Sequence, residues 1–347
     1  MHTVNVPKMK ALVKHVAIDQ REPLMFWGKP GVGKSQGIAQ AARENNAVHV
    51  DIRLSQYDSV DLRGIPAPVM DTGLTTWFAP STLPFKGNPA FDKDRLTFLM
   101  LDEINSATPA VAAVAYQLVN EKRVGEHELH ENVVVIAAGN REGDRGVTNR
   151  MPTPLANRFT HAEVVEDVDA TVEHFQSLGL PPIGAAFLLF RKPLLCTFDP
   201  SKADKAFATP RTWEKALRYF ASETMPRDIK EAAIAGAVGD GPAAEFGAFQ
   251  DVWSKMTPIK TIIEKPDEVP VPKEAAMNYA LAVAISGSMD KKTITPLSRF
   301  LGRMAKSEAA GPEFLTLAWQ MATKRDKELY VTQEFVQFSK DYKAIWA

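Results

Sequence analysis

The segment that most constrains this chain is a glycine-rich octapeptide near its start, Gly28-Lys29-Pro30-Gly31-Val32-Gly33-Lys34-Ser35. It matches the phosphate-loop pattern G-x-x-x-x-G-K-[ST] in full. Residues 23–27 before it predict a short buried strand, and the alanine-rich residues 36–45 after it favour a helix. Because a phosphate loop joins a strand to a helix, the sequence context agrees with the motif.

The chemistry of such a loop follows from its backbone. Glycines allow a tight turn in which several N–H groups point at one anion, and the next helix adds its positive end. We expect Lys34 to reach the β- and γ-phosphates of a nucleotide and Ser35 to bind Mg²⁺. The predicted nucleotide-binding residues are Gly28, Pro30, Gly31, Val32, Gly33, Lys34, Ser35 and Gln36.

A second motif lies in residues 95–103, where an apolar run ends in Asp102 and Glu103. A continuously apolar segment is typical of a parallel strand that is covered on both faces. In this position Asp102 is expected to hold Mg²⁺, directly or through water, and Glu103 to act as general base on the attacking water. The pair therefore favours hydrolysis of the nucleotide over binding alone.

Three further polar residues are candidates for catalysis. Residues 133–139 predict a buried strand that ends at Asn140, and parallel strands end at the ligand crevice. Arg158 is poorly placed to reach the phosphates of its own chain, so it acts either on a neighbour's phosphates or as a surface ion-pair partner. Arg211 follows Thr209 and Pro210, which are typical of a helix start, and is either a nucleotide contact or a surface arginine.

Two hairpins are predicted within the nucleotide-binding region, near 64–80 and 122–130. The first has a glycine-containing turn and prolines that suit edge strands. Its Trp77 and Phe78 are either buried against the core or exposed on a projecting loop that contacts a substrate or a neighbour.

Composition bounds the class of protein. The chain has 347 residues, of which 45% are hydrophobic and 24% charged, which predicts a soluble protein of two or three domains. A net charge of −1 gives no reason to expect a nucleic-acid surface. The single cysteine, Cys196, fits a reducing cytoplasm. Neither a signal pattern nor a membrane-spanning apolar run is expected.

The second half of the chain has a different composition. We expect an α/β nucleotide-binding domain over 1–166 and an α-helical lid over 167–256. The proline-rich and charged residues 257–273 indicate a linker or extended arm. Residues 274–347 predict a C-terminal region of three or four amphipathic helices.

The order of these motifs resembles that of the AAA+ ATPases, and within them most of all the MoxR-like group. The likeness rests on residues 101–105 and 155–159, and on the two predicted hairpins, and it covers about residues 4–250. It implies a parallel sheet flanked by helices, followed by a helical lid. It also implies a ring, usually of six subunits, that hydrolyses ATP with Mg²⁺ at subunit interfaces to remodel a partner protein. Such a partner often carries a von Willebrand factor A domain.

The resemblance also assigns roles. Asn140 corresponds to the first sensor, Arg158 to the arginine finger and Arg211 to the second sensor, which acts in cis or in trans. The loop after Asn140 departs from the usual form of the group, so Arg150 is an alternative finger. The hairpins correspond to insertions that face the central pore.

Other functions stay open at this stage. A monomeric P-loop ATPase or kinase needs no arginine in trans, and a nucleic-acid motor is compatible with locally basic pore loops. A nucleotide-gated scaffold is disfavoured by Glu103, and a GTPase by the lack of a guanine-recognition signature. Adenine specificity rests on the resemblance alone.

Overall fold

The computed structural model describes residues 1–144 and 151–343. These form two compact units, and each is described by itself. Unit 1 comprises residues 1–167 and 198–203, and unit 2 comprises residues 168–197 together with the chain from residue 204 onward.

Unit 1 is built on a six-stranded sheet in the order β1-β10-β2-β9-β6-β3, in which every neighbouring pair is parallel. Four short strands form two separate hairpins. The bounds of the strands are β1 (Thr3–Val4), β2 (Leu24–Trp27), β3 (Val48–Arg53), β4 (Ile65–Val69), β5 (Leu74–Phe78), β6 (Thr97–Asp102), β7 (Arg123–Val124), β8 (His127–Glu128), β9 (Val133–Gly139) and β10 (Thr160–Val164).

The central strands are covered on both faces, which explains their continuous apolar sequences. Along β2, Leu24 and Phe26 enter one hydrophobic core, whereas Met25 and Trp27 enter the core on the opposite face. β6 and β9 divide their side chains in the same alternating way. All residues of β2, β6 and β9 are buried, so the sheet is a central layer between two layers of helices.

Short helices flank this sheet. Asn5 accepts a hydrogen bond from the Lys8 backbone and caps the first helix, and Thr108 caps the fourth in the same way, with a proline next in sequence. A π-helical turn and two 3₁₀ turns join them. The bounds in unit 1 are α1 (Val6–Leu12), a π segment (Val13–Ile18), α2 (Lys34–Glu44), a 3₁₀ turn (Leu54–Gln56), α3 (Ser59–Arg63), a 3₁₀ turn (Ile104–Ser106), α4 (Pro109–Glu121) and α5 (Thr153–Ala156).

The first predicted hairpin is formed by β4 and β5, and it projects from the end of α3. Phe78 is exposed, and Trp77 is half-buried beneath the Arg63 guanidinium, 4.4 Å from its ring centroid. At the hairpin base Gly64 has φ 91°, and a Cβ there would lie 1.9 Å from the Phe78 carbonyl oxygen. Only glycine therefore fits this position. The second predicted hairpin is formed by β7 and β8.

Unit 2 is entirely helical within the part of the chain that the structure describes. Its bounds are α6 (Val168–Ser177), α7 (Pro182–Phe190), a 3₁₀ turn (Lys192–Leu195), α8 (Pro210–Ala221), α9 (Arg227–Val238), α10 (Asp240–Ser254), α11 (Ile259–Glu264), α12 (Ala275–Ser288), α13 (Ile294–Ala305), α14 (Pro312–Arg325), a 3₁₀ turn (Lys327–Val331) and α15 (Gln333–Asp341). The fold class is therefore confirmed as an α/β core with a parallel sheet flanked by helices, followed by a helical region.

The C-terminal helices share a core with the segment expected to be the lid. Ala280 and Val283 of α12 and Met321 of α14 lie in the same hydrophobic cluster as α7 and α8. α12 is buried around most of its circumference, so it is not the amphipathic helix that the sequence predicted. Residues 344–347, at the end of the predicted C-terminal region, lie outside the described residues.

Residues 257–273 are not the extended arm that their prolines and charges suggested. α11 forms within them, and Ile262 and Val269 are buried in a second hydrophobic cluster. The Arg303 guanidinium also donates to the Pro266 and Val269 carbonyl oxygens at 2.7 and 2.8 Å. Apolar residues interspersed among the charges hold the segment against the other helices of unit 2.

Among the described residues, no helix combines the length and apolar composition required to cross a bilayer.

The packing of the unit 2 core can be tested by a substitution at Phe246. Phe246 is fully buried among Phe187, Trp213 and Phe220, with ring centroids 5.3, 5.6 and 5.6 Å away. Phe246→Ala should lower the free energy of unfolding by about 3–5 kcal/mol because it leaves a cavity. Urea denaturation followed by circular dichroism measures this change. Val331→Ala, at a residue that is 84% exposed, is the control and should change it by less than about 0.5 kcal/mol. A loss below about 1 kcal/mol for Phe246→Ala would contradict the packing described.

Candidate nucleotide-binding site

The phosphate-loop motif lies between β2 and α2, as the sequence predicted. Gly31 and Gly33 have φ of 78° and 99°, in the left-handed region that favours glycine. Gly33 directly precedes α2, whose first residues are Lys34 and Ser35. The loop therefore presents backbone N–H groups at the positive end of a helix, an arrangement suited to an anion.

The Lys34 side chain is held inside this loop. Its Nζ donates to the carbonyl oxygens of Gly28 and Lys29 at 2.7 and 3.0 Å, and to Asn140 Oδ1 at 3.4 Å. Lys34 is only 8% exposed. The contacts place its charge between β2 and β9, at the mouth of the loop.

Ser35 and Asp102 meet at the same edge of the sheet. Ser35 Oγ donates to Asp102 Oδ2 over 2.8 Å, and the Asp102 carboxylate is buried. A hydroxyl and a carboxylate are the hard oxygen ligands that Mg²⁺ prefers, with phosphates and water completing its shell. The donor set therefore fits Mg²⁺ bound together with a nucleotide.

Glu103 has an unusual backbone conformation, with φ 55°, and its N–H donates to Asp102 Oδ1 at 2.9 Å. Its Oε2 accepts a hydrogen bond from Ser55 Oγ. Ser55 lies in the 3₁₀ turn after β3, the strand that neighbours β6. The predicted base is therefore engaged by a hydroxyl that sequence reasoning did not identify.

A negative potential surrounds these residues. Partial burial raises the pKa of Asp51, and the nearby Asp102 and Glu103 carboxylates raise it further. On β3, Arg53 lies directly opposite Asp102 and partly offsets this charge. Such a potential at the strand ends favours a divalent cation.

Asn140 follows β9, and its backbone is held by Asn105. Asn105 Nδ2 donates to the Asn140 carbonyl oxygen at 2.8 Å, and Asn105 is buried. A Cβ on Gly139 would lie 2.6 Å from Asn105 Oδ1, so a larger residue there would displace the Asn105 side chain. Asn105 belongs to the motif after Asp102, but no separate role was predicted for it.

The residue after Asn140 is fixed by carboxylates. Arg141 donates to Asp144 from its backbone N–H, Nε and Nη2, and to Glu163 of β10 from Nη1 at 3.2 Å. The hydrogen bond with Asp144 is the main reason that the pKa of Arg141 is raised above its usual value. Asn140 is thus anchored on both sides.

The predicted arginines are distributed over both units. Arg158 lies after α5 in unit 1 and is exposed. Within residues 1–144 and 151–343, no carboxylate forms an ion pair with it. Arg211 lies at the start of α8 in unit 2 and is also exposed. The alternative finger, Arg150, lies outside the described residues.

The local structure at Arg211 agrees with the sequence prediction. Thr209 is the N-cap of α8, and its hydroxyl accepts from the Thr212 backbone while Thr212 Oγ1 accepts from the Thr209 backbone. Pro210 is the first helical residue. This reciprocal capping fixes the point at which the Arg211 side chain leaves the helix.

The parallel sheet and the phosphate loop between β2 and α2 define unit 1 as an α/β P-loop fold. No family model matches the sequence.

Several solved structures are similar to this chain at low sequence identity and low TM-score. The RuvB Holliday junction branch migration motor of Thermotoga maritima is 15% identical, with a TM-score of 0.39 over 86% of each chain. A point mutant of the same motor is 16% identical, with a TM-score of 0.40 over 86% of this chain and 87% of that one. NtrX from Brucella abortus is 13% identical, with a TM-score of 0.38 over 73% of this chain and 62% of its own.

The contact between Ser55 and Glu103 leads to a prediction. If the hydroxyl holds the carboxylate away from the attacking water, Ser55→Ala should raise the basal rate of ATP hydrolysis about threefold to tenfold, the effect of losing one hydrogen bond. Steady-state phosphate release measures the rate. Ser59→Ala, on the adjacent helix α3, is the control and should leave it unchanged. A fall in the rate would show that Ser55 instead supports the active position of Glu103.

Proposed function

We propose that this chain is a Mg²⁺-dependent ATPase whose subunits assemble into a ring and remodel a partner protein. One observation carries the catalytic part of this proposal. A single connected set of contacts in unit 1 joins the phosphate-loop lysine and serine to the residues at the ends of β6 and β9. This is the set of groups that phosphoryl transfer to water requires.

Each group has a part in this chemistry. Lys34 binds the β- and γ-phosphates and stabilises their developing charge. Ser35 and Asp102 hold Mg²⁺, which supplies neutralisation of phosphate charge when it is bound. Glu103, once it is released from Ser55, accepts a proton from the attacking water, and Asn140 orients that water. The choice of ATP over other nucleotides rests on the family resemblance.

The arginine in this scheme comes from the next subunit. Arg158 is exposed and lies after α5, and no described carboxylate pairs with it, so its charge is available to a neighbour. An arginine supplied in trans stabilises the transferring phosphoryl group. In this proposal the active sites lie between subunits of a homo-oligomer, for which the resemblance implies a ring of six.

Arg211 is proposed as a second phosphate contact. It is exposed, and the capped start of α8 fixes its position within unit 2. Mixing of variant subunits can show whether Arg211 contacts the phosphates of its own subunit or of the next.

The hairpin of β4 and β5 supports a role in contacting a protein. Its strand register places Ile65 opposite Phe78 and Val69 opposite Leu74, on one face. Ile65, Leu74 and Phe78 are 65%, 68% and 64% exposed, and Met70 at the tip is 86% exposed. Exposed apolar side chains on a projecting element are typical of a partner-binding surface. We propose that the client is a protein, with a von Willebrand factor A domain protein as the example that the resemblance suggests.

The trans arginine can be tested by substitution. Arg158→Ala should lower the rate of ATP hydrolysis about 10³-fold or more while ATP affinity is retained, because the arginine acts only on the transition state. Mixing Arg158→Ala subunits with Glu103→Gln subunits should restore part of the rate, since a Glu103→Gln subunit supplies Arg158 to the intact site of its Arg158→Ala neighbour. Phosphate release and nucleotide titration measure the two quantities.

Arg227→Ala is the matched control, because Arg227 is an exposed arginine on α9 that pairs with Glu231 four residues on. It should hydrolyse ATP normally. The rate per subunit of the unmodified protein should also fall on dilution, as rings dissociate. An Arg158→Ala protein with full activity, or a rate that is independent of concentration, would overturn the trans arginine and favour a monomeric ATPase.

The nature of the partner leads to a separate prediction. With a net charge of −1, we expect single- and double-stranded DNA to change the rate of ATP hydrolysis by less than about twofold at low salt. The measurement compares ATPase rates with and without each DNA at two salt concentrations. A large stimulation that salt abolishes would favour a nucleic-acid motor instead.

A further inference from the structure

A chain of hydrogen bonds connects the strand that leads into the phosphate loop with the turn that carries Arg158. Trp27 is the last residue of β2, directly before Gly28, and its Nε1–H donates to His161 Nδ1 at 2.9 Å. The other ring nitrogen, His161 Nε2, lies 2.7 Å from the Ala156 carbonyl oxygen. Because an indole N–H can only donate, Nδ1 must accept, and the proton of the neutral imidazole lies on Nε2. His161 therefore donates to Ala156.

The imidazole has little freedom to turn away from these partners. Its ring lies nearly parallel to that of Trp27, at a centroid distance of 6.1 Å and an interplanar angle of 14°, and it meets the edge of Phe159 at 6.1 Å. Trp27 and Phe159 are both buried. The pleat of β10 directs Ala162 and Val164 into the core on the other face of the sheet, which leaves His161 on the face of Trp27 and Phe159.

The Ala156 end of this chain is part of the turn that sets the position of Arg158. Ala156 is the last residue of α5, and the Arg158 and Phe159 N–H groups donate to the Leu155 and Ala156 carbonyl oxygens at 2.9 and 3.2 Å. The carbonyl that accepts from His161 thus also closes this turn. The exposed Arg158 side chain has no described carboxylate to orient it, so the backbone of the turn determines where it points.

We propose that His161 is a positioning residue for hydrolysis in the neighbouring subunit: it fixes the turn that carries Arg158 relative to the phosphate loop of its own subunit. This inference rests on the proposed trans role of Arg158. The hydrogen bond to Ala156 holds the turn, and the hydrogen bond from Trp27 ties it to the strand that leads into the loop. His161 contacts neither the nucleotide nor the water.

Mixed rings isolate this role. The acceptor subunit carries Arg158→Ala, so it keeps an intact nucleotide site but lacks the arginine. The donor subunit carries Glu103→Gln, so it supplies Arg158 but does not hydrolyse ATP itself. A further substitution at His161 is made in the donor only, and hydrolysis then reports how well the donor presents Arg158.

Three substitutions separate the contributions of the ring. His161→Phe keeps the ring and loses both hydrogen bonds. His161→Asn keeps an acceptor for Trp27 but is too short to reach Ala156. His161→Gln places an amide nitrogen close to the position of Nε2 and keeps the bond to Ala156. Donors with Phe or Asn should support hydrolysis about tenfold less well than the parent donor, whereas the Gln donor should recover to within about threefold.

The kinetic pattern distinguishes positioning from general disruption. The apparent KM for ATP of the mixed rings should stay unchanged because the acceptor site is intact, so that the whole effect falls on kcat. Each donor should bind ATP as tightly as its parent and should melt cooperatively.

His15→Asn in the donor is the matched control, since His15 is exposed and pairs with the nearby Asp19. If the donors changed at His161 do not fold, Trp27→Phe removes the other hydrogen bond, keeps a ring, and should lower kcat several-fold.

The outcomes separate this inference from the one on which it depends. If the parent donor fails to restore hydrolysis to Arg158→Ala subunits, the trans role of Arg158 and the role of His161 are both overturned. If the parent donor restores it and the Phe and Asn donors restore it equally well, His161 does not position Arg158. A loss that appears in KM, or a Gln donor as poor as the Asn donor, would also overturn the proposal.

Discussion

The constraint on which the site depends is the adjacency of β2, β9 and β6 in a parallel sheet. Parallel strands end at one edge, so the phosphate loop, Asn140 and the Asp102-Glu103 pair are brought together although they are far apart in sequence. Lys34 Nζ contacts both the loop carbonyl oxygens and Asn140, and Ser35 contacts Asp102. If the strand order were different, the same side chains would be present without forming a site.

Much of this arrangement could be predicted from the sequence, because the signals are local. A glycine pattern between a strand and a helix, or an apolar run that ends in two carboxylates, identifies residues within a few positions of one another. The capped start of α8 at Thr209 and Pro210 was predictable for the same reason. The roles of Arg158 and Arg211 cannot be predicted from local signals, because they depend on how subunits assemble. They stay predictions.

What the sequence did not predict depends on contacts between distant residues. Ser55 lies 48 positions from Glu103, and Trp27 lies 134 positions from His161, so no local pattern marks either pair. Asn105 lies in the motif after Asp102, but its contact with the Asn140 carbonyl oxygen forms only when β6 and β9 pair. The prediction of a linker or extended arm at 257–273 was wrong because it rested on the prolines and charges of the segment. Two apolar residues, Ile262 and Val269, hold it against α13 and its neighbours.

The glycine at the root of the β4–β5 hairpin has a consequence for how this surface can diversify. Gly64 cannot accept a side chain because the Phe78 carbonyl oxygen occupies the space, whereas the side chains at the tip meet little besides solvent. Substitutions at the tip should lower stability little, whereas a side chain at Gly64 would displace the whole hairpin. We therefore expect related chains to keep a glycine at this position while the apolar residues beyond it vary.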